Sequence, residues 1–532
     1  MRGVIACGDQ ATAAAGAEML RDGGNAVDAA VAAAFASFIA EIGVVHLGGS
    51  GVAQIYRPGP DSVSATYDFF SAMPGLGRQR NGEELDFERV TIDFGPTTQD
   101  FYLGRGSVAA PGNIFGLCRL AADYGRLPLA RLLGPARRLA RDGHPLAPFQ
   151  ADTCQLLEPL YTNTADMRRI FAPNGHVIRA GERLTIPNLE RTLIALAEHG
   201  ADYIRSGSLA QAIVADQRAN GGLVTAADLA TYEVHSLAPV RFAYHDFEIL
   251  LPPPSSSGGV LTAFTLRLLS HFKLSRRPHG SPEYLRLLFE VMAATTRARP
   301  IWDRAAADLP VEEAIAYFLS ERLLENFISE VRSALDGRQR FPALTEPNPH
   351  PDTSHLSVID GQGLAVSLTT TAGESAGYVV PGTGFIPNNI LGEEDLHPAG
   401  FHQGKAGERI HTMMTPAIVL HKGNIRLVVG SGGSIRIRSA ILQVLTNLLD
   451  YGMSLDDAVN KARVHLENGV LQCEFGVEPE AIDALEESGY PVNRWDRRSI
   501  YFGGAHSVSR TPDGRLVAAG DSRRGGAVAV VE

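Results

Sequence analysis

The sequence predicts a mixed α/β fold, either two lobes or one large layered domain, on three observations. Its 532 residues exceed what one hydrophobic core normally serves. Its 55 glycines and 31 prolines are more turn formers than a helical bundle carries. Helical runs and hairpin-like runs both recur along it, in a composition of 45% hydrophobic and 20% charged residues that belongs to an ordinary globular protein.

Composition also narrows the function classes. A formal net charge of -11 argues against nucleic acid as a partner, because phosphate binding needs a basic footprint. Cys7, Cys118, Cys154 and Cys473 are scattered without metal-ligand spacing and read as core thiols, so neither a metal nor a disulfide framework is expected. The apolar run between Asp28 and Glu41 is too short to span a bilayer, so no membrane association is expected. No charged and apolar leader precedes Arg2-Gly3-Val4, which reads as cytoplasmic as written, or periplasmic if a leader has been removed.

In chain order, Ala11 to Leu20 reads as a helix stopped by Gly23-Gly24, and Asn25 caps a second helix from Ala26 to about Ile42, with Asp28 in its first turn. Leu47-Gly48-Gly49-Ser50-Gly51 lacks the Lys-Ser/Thr of a phosphate cradle and reads as a tight turn. Strands follow at Val52 to Tyr56 and Ala65 to Phe69, then a helix from Asn113 to Tyr124 and a broken helical region to Ala219. Helices are expected over Pro282 to Arg299 and Val311 to Ala334, and 337–352 is a polar, proline-punctuated linker with the composition of a cleavable segment. A hairpin is expected at Ile418 to Val429 about the turn His421-Lys422-Gly423-Asn424. It leads through Gly430-Ser431-Gly432-Gly433-Ser434 into a helix from Arg438 to Tyr451. Strands Ala505 to Arg510 and Leu516 to Ala519 close the pattern.

The stretch most suggestive of chemistry is the hairpin Asp352–Asp360 and Leu364–Thr371 around Gly361-Gln362-Gly363. Pairing Asp360 with Leu364 sets Val358 opposite Val366 and Thr353 opposite Thr371, so one face carries Thr353, His355, Ser357, Ser367, Thr369 and Thr371. A threonine becomes a nucleophile when a base lies beside it, and an α-amine freed by chain cleavage is such a base, with an ordinary pKa of about 7.7–8.0. This would require a cut between Asp352 and Thr353. The dipeptide alone does not establish it, since Asp152-Thr153 occurs in a helical stretch with no hairpin after it.

Several co-linear motifs give that context. They are Gly23-Gly24-Asn25-Ala26-Val27-Asp28-Ala29-Ala30, Val108-Ala109-Ala110-Pro111-Gly112, Tyr124-Gly125-Arg126-Leu127-Pro128, Asn220-Gly221-Gly222-Leu223, Pro252-Pro253-Pro254-Ser255-Ser256-Ser257-Gly258-Gly259, Thr353-Ser354-His355 and Gly430-Ser431-Gly432-Gly433. In this order they resemble the γ-glutamyltransferase family, over nearly the whole chain. The resemblance implies an αββα sandwich of the N-terminal-nucleophile hydrolases, made as one precursor and self-cut into a large subunit (1–352) and a small one (353–532). A dimer of processed heterodimers is compatible with it. It further implies an amide hydrolase or acyltransferase acting on a small-molecule amide without a cofactor, either in γ-glutamyl transfer or in hydrolysis of another small amide as in cephalosporin-acylase relatives. The alternative from another class is an unprocessed homologue with a binding or structural role. Thr353 matches the nucleophile, Thr371 its hydrogen-bonding partner, and Gly432 and Gly433 the oxyanion region. By ungapped count the second family glycine falls on Ser434, which leaves open which two N–H groups serve.

The departures fall where the family recognises its substrate. Its Asp-Phe-Arg-Glu-Thr-Ala-Pro motif reads Asp68-Phe69-Phe70-Ser71-Ala72-Met73-Pro74, so Phe70 replaces the arginine that would grip a glutamyl α-carboxylate. Paired serines become Thr412 and Met413, and an asparagine becomes Gly373. The acidic residue that meets the α-amino group is matched by Glu393 or Glu394. A standard γ-glutamyl donor is therefore expected to bind poorly. For Arg436 and Arg438 a substrate carboxylate and a structural ion pair are both open. His355 reads as a buried, hydrogen-bonded histidine, and Asp521 and Arg523 as structural.

Overall fold

The computed structural model describes residues 1–60, 62–78, 84–93, 98–345, 352–397 and 400–532, with only the backbone of Asp352 and Asp395. The two large sheets draw on β1 (Gly3–Cys7), β2 (Ser50–Arg57), β3 (Val63–Phe69), β4 (His235–Leu237), β5 (Val240–Tyr244), β6 (Phe247–Leu251), β7 (Asp352–Asp360), β8 (Ala365–Gly373), β9 (Ala417–His421), β10 (Asn424–Val429), β11 (Ser507–Arg510), β12 (Leu516–Ala519) and β13 (Ala527–Val531). Seven of these form one sheet in the order β13-β1-β7-β8-β2-β3-β4, and six form the other in the order β12-β11-β10-β9-β6-β5. Every pairing within the two sheets is antiparallel.

Strand alternation decides which residues lie between the sheets. Val4 and Ala6 of β1, Ile359 of β7 and Ala365 of β8 share a buried cluster with Leu250, Ile418, Val428 and Val508 of the other sheet. The opposite face of the hairpin, including Val358 and Val366, packs with α1 (Gln10–Arg21) and α2 (Ala26–Ala40). On the far side, Ile249, Val419 and Leu427 pack in a cluster shared with α3 (Ser257–Ser270), α4 (Pro282–Asp308) and α5 (Arg436–Leu449). The polar hairpin face thus points inward between the sheets. There the Ser357 hydroxyl donates to the His506 carbonyl (2.9 Å) and the Ser367 hydroxyl to the Val429 carbonyl (3.0 Å), which stitches one sheet to the other.

Helix α2 forms as its sequence predicts. The Asn25 side chain accepts from the N–H groups of Val27 and Asp28, and the Asp28 carboxylate accepts from Asn25 N–H at 2.8 Å, a reciprocal cap of about 1 kcal/mol. Asp28 also accepts from the N–H groups of Arg126 and Leu127, so the same carboxylate ties down the Tyr124–Pro128 turn. Every residue of α2 is buried, as a core helix requires.

Some boundaries differ from expectation. The helix foreseen over Pro282 to Arg299 runs on through Pro300 to Asp308. The single helix expected over Val311 to Ala334 is two, Val311–Phe318 and Glu321–Leu335, because Ser320 caps the second by accepting from Leu323 N–H. Of the linker, 346–351 lies outside the described residues, as does the side chain of Asp352.

Candidate active site

The β7–β8 register runs from Ile359 opposite Ala365 to Ser354 opposite Thr370, as the alternating pattern predicts. It then shifts, so that Asp352 pairs with Gly373. This corrects the expected direct Thr353–Thr371 pair: Thr353 sits at a bulge, where the extra residue re-aims side chains that a regular ladder would hold perpendicular to the sheet. Both threonines are buried and line the same small cavity of ≈ 20 Å³. The Thr371 hydroxyl oxygen accepts from Gly373 N–H at 3.1 Å, which fixes its rotamer.

The glycine turn between β10 and α5 lies directly against this residue. A Cβ on Gly432 would fall 2.0 Å from the Thr353 carbonyl oxygen, so only glycine lets the two backbones approach. Gly433 has φ +111° and Ser434 φ +49°, and this left-handed pair, past the end of β10 at Val429, turns the chain into the helix. Ser434 lines the cavity with Thr353. Successive N–H groups before a helix suit a developing oxyanion.

Phe70, Glu393, Thr412 and Met413 also line the cavity, together with the apolar Ile390 and Ile437. The backbone of Phe70 is pinned: its N–H donates to Asp68 Oδ1 at 2.9 Å, and Ser255 Oγ donates to Asp68 Oδ2 at 2.8 Å. Glu393 is buried while Glu394 is exposed, so only Glu393 of the two faces the site. A Cβ on Gly373, at φ +67°, would meet Glu393 Oε1 at 2.1 Å and Asn389 Oδ1 at 2.3 Å. Gly373 therefore forms the floor on which Glu393 rests and presents no side chain to a substrate. Arg436 does not line the cavity; its guanidinium lies over the Tyr501 ring at 4.7 Å.

His355 is buried between Thr369 Oγ1 and Ser357 Oγ, each 2.9 Å from a ring nitrogen, and burial and then His506 hold its pKa well below the ordinary value. It stays neutral and structural. Among the described residues no group of three or more His, Cys, Asp or Glu could hold a metal ion, and no helix is long and apolar enough to cross a membrane.

The family model described as "Gamma-glutamyltranspeptidase" matches residues 12–531. The chain belongs to the gamma-glutamyltranspeptidase family. Among individual relatives it is 33% identical to the acylase ACY 1 proenzyme of Pseudomonas sp. (strain SE83), over 97% of this chain and 91% of that one. It is 27% identical to the glutathione hydrolase proenzyme of Escherichia coli (strain K12), over 98% and 90%. The crystal structure of cephalosporin acylase from Bacillus halodurans superposes with a TM-score of 0.84 at 25% identity, covering 100% of this chain and 96% of that one. The chain is accordingly a gamma-glutamyltranspeptidase-family enzyme of the hydrolase/transferase type, related to proenzymes.

Three residues that brace Ser354, the Thr353 carbonyl and the strand end bearing Phe70 are not evident in the sequence. Glu41, just past α2, accepts from Ser354 Oγ at 2.5 Å. Arg524 Nη1 lies 3.4 Å from the Thr353 carbonyl oxygen. Arg409 Nε approaches Asp68 at 3.6 Å and Nη1 donates to Tyr232 Oη at 2.7 Å, which braces the strand end that carries Phe70. Asp521 and Arg523 are structural: both are buried in a network with Arg463 and Glu474, in which Arg463 Nη2 meets Asp521 at 2.6 Å. Burial alone would raise the Asp521 pKa, yet Arg463 and Arg523 hold it well below the carboxylate range. No signal in a single sequence marks Glu41, Arg409 or Arg524 apart from the charges that lie at the surface.

Proposed function

We propose that this enzyme cuts itself between Asp352 and Thr353 and then uses Thr353 to hydrolyse or transfer the acyl group of a small amide that is not a standard γ-glutamyl donor. The observation that carries this reading is one cavity holding the threonine at the head of β7 beside walls of Phe70 and Met413. Processing would begin with Thr353 Oγ attacking the Asp352 carbonyl carbon. The peptide C–N bond breaks as an ester forms on Oγ and the proton of Oγ passes to the nitrogen, which frees the Thr353 α-amine, and water then hydrolyses the ester to an Asp352 carboxylate and the Thr353 hydroxyl. In turnover that amine takes the Oγ proton as Oγ attacks the substrate carbonyl, and passes it to the leaving amine. N–H groups of the Gly432–Ser434 turn would receive the oxyanion, and water or an acceptor amine would resolve the acyl-enzyme.

The substrate side supports an acyl group with an apolar body. A glutamyl α-carboxylate needs a cation or paired donors, and the cavity offers an aromatic ring and a thioether where the family pattern has arginine and serine. Glu393 remains to receive a positive or hydrogen-bond-donating group. The likeness to acylase relatives agrees with this and favours hydrolysis of a non-glutamyl amide. The fold fits the αββα architecture of N-terminal-nucleophile hydrolases, with 1–352 and 353–532 as the two subunits of one precursor.

Denaturing electrophoresis with intact mass tests the core of the proposal. The expected result is two fragments divided at Thr353, and a Thr353→Ala chain that stays whole and inactive. A wild-type chain that remains uncut under all conditions would overturn it and leave a binding role instead.

A further inference from the structure

Glu41 is 1% exposed and caps the C-terminus of α2. A Cβ on Gly8, just beyond β1, would come within 2.5 Å of its Oε2, so the chain is cut back to glycine to admit the carboxylate. The groups facing it are Cys7 from β1, Asp9 and Thr12 at the start of α1, and Ser354 on β7. Behind Asp9 lies His144 at 3.8 Å, and across the strand Arg524 addresses the Thr353 carbonyl. Among the described residues no lysine or arginine pairs with Glu41. Burial, reinforced by the Asp9 charge and opposed by the Ser354 hydrogen bond, pushes its pKa up to about 7.

An acid buried in this way, without a cation, is costly unless a charge arrives later. Cleavage before Thr353 would create such a charge one residue from Ser354. Resting on Thr353 as the nucleophile, we propose that Glu41 is a positioning residue whose counter-ion is the Thr353 α-ammonium: through Ser354 it holds the new chain terminus, and it sets the pH at which that terminus becomes a free base. The two groups then titrate as a coupled pair. The carboxylate favours the charged amine, so it raises the pH at which the base is released.

The direct test labels the α-amine of processed wild-type enzyme with a water-soluble acylating reagent across pH and reads the peptide that begins at Thr353. The expected midpoint lies above pH 8, against about 7.7–8.0 for a free α-amine; a midpoint at or below that range overturns the proposal. In Glu41→Gln, which keeps an acceptor for Ser354 but no charge, the midpoint and the acidic limb of kcat/KM should move down by about one pH unit. The probe for kcat/KM would be an apolar acyl p-nitroanilide, the class of amide that the walls of the cavity favour. Ser354→Ala should lower kcat severalfold with KM within about twofold, and an unchanged kcat would refute the tether. If no peptide beginning at Thr353 forms, the nucleophile reading falls and this proposal falls with it. If the peptide forms and its midpoint is ordinary, only the role of Glu41 falls.

Discussion

On one side of Thr353 the chain leaves no room. The Gly432 backbone lies against the Thr353 carbonyl, where even a methyl group would collide at 2.0 Å. The bulge between Asp352 and Ser354 and the Thr371 contact to Gly373 complete that side from backbone geometry. On the other side the walls are side chains, Phe70, Thr412 and Met413, carried on backbone that is independently pinned by Asp68, Ser255 and Arg409. On the function proposed above, backbone contacts would set the reaction geometry and side chains the fit of the substrate. Backbone contacts resist substitution, whereas side chains on a braced backbone can change while the fold beneath them stays put. A family enzyme can thus keep its chemistry and alter its acyl group.

The largest effect expected from breaking this contrast is at Gly432. Gly432→Ala must push the turn away from Thr353 by more than an ångström, displacing the N–H groups proposed to hold the oxyanion. Loss of one such donor costs about 10²–10³ in rate. Processing, followed by the appearance of the 353–532 fragment, should slow by at least about a hundredfold while circular dichroism stays native. Cutting at the wild-type rate would show that the turn is not part of the machinery.

Next comes the exchangeable wall. Phe70→Arg restores a cation at the head of the pocket, with Glu393 in the same cavity to offset its burial. A charge-assisted hydrogen bond contributes about 1.5–3 kcal/mol, part of which goes to desolvating the guanidinium. The net expectation is about a tenfold gain in kcat/KM on γ-glutamyl p-nitroanilide, with kcat for an apolar acyl anilide reduced. No gain would mean that Phe70 packs without contacting the acyl group.

How much of this was legible before the structure follows the same division. The β7–β8 hairpin was readable because its alternation is local, and its register held as far as Ser354. The bulge was not, since it shows only in the pairing of Asp352 with Gly373 across the sheet, where the alternating pattern itself does not change. Strands β1 and β13 are not legible because Gly3–Cys7 and Ala527–Val531 are short, and it is the pairing of β1 with β7 and of β13 with β1 that makes them strands. Phe70 was found as a departure from a motif. Glu41 matched no motif and looked like the end of an alanine-rich helix, and its partner Ser354 lies 313 residues away. Arg436 was ambiguous because its partner ring, Tyr501, belongs to a distant segment.

The smallest expected effect sharpens the contrast most. Met413 lines the cavity, while its carbonyl accepts from Thr415 Oγ1 at 2.9 Å and the neighbouring Thr412 Oγ1 accepts from Met414 N–H at 3.2 Å. The backbone here is therefore held without help from the thioether, and Met413→Ser should change the wall and little else. Alone it offers one neutral hydrogen bond, about 0.5–1.5 kcal/mol at best, against lost apolar contact, so a gain of about twofold or less on the γ-glutamyl probe is expected. With Phe70→Arg already present the same hydroxyl would meet a carboxylate held in place by the arginine, and the two changes should exceed the product of their separate effects. A double-mutant cycle in kcat/KM measures this directly. Strict additivity would place the two residues in separate subsites and remove the single acyl wall on which the comparison depends.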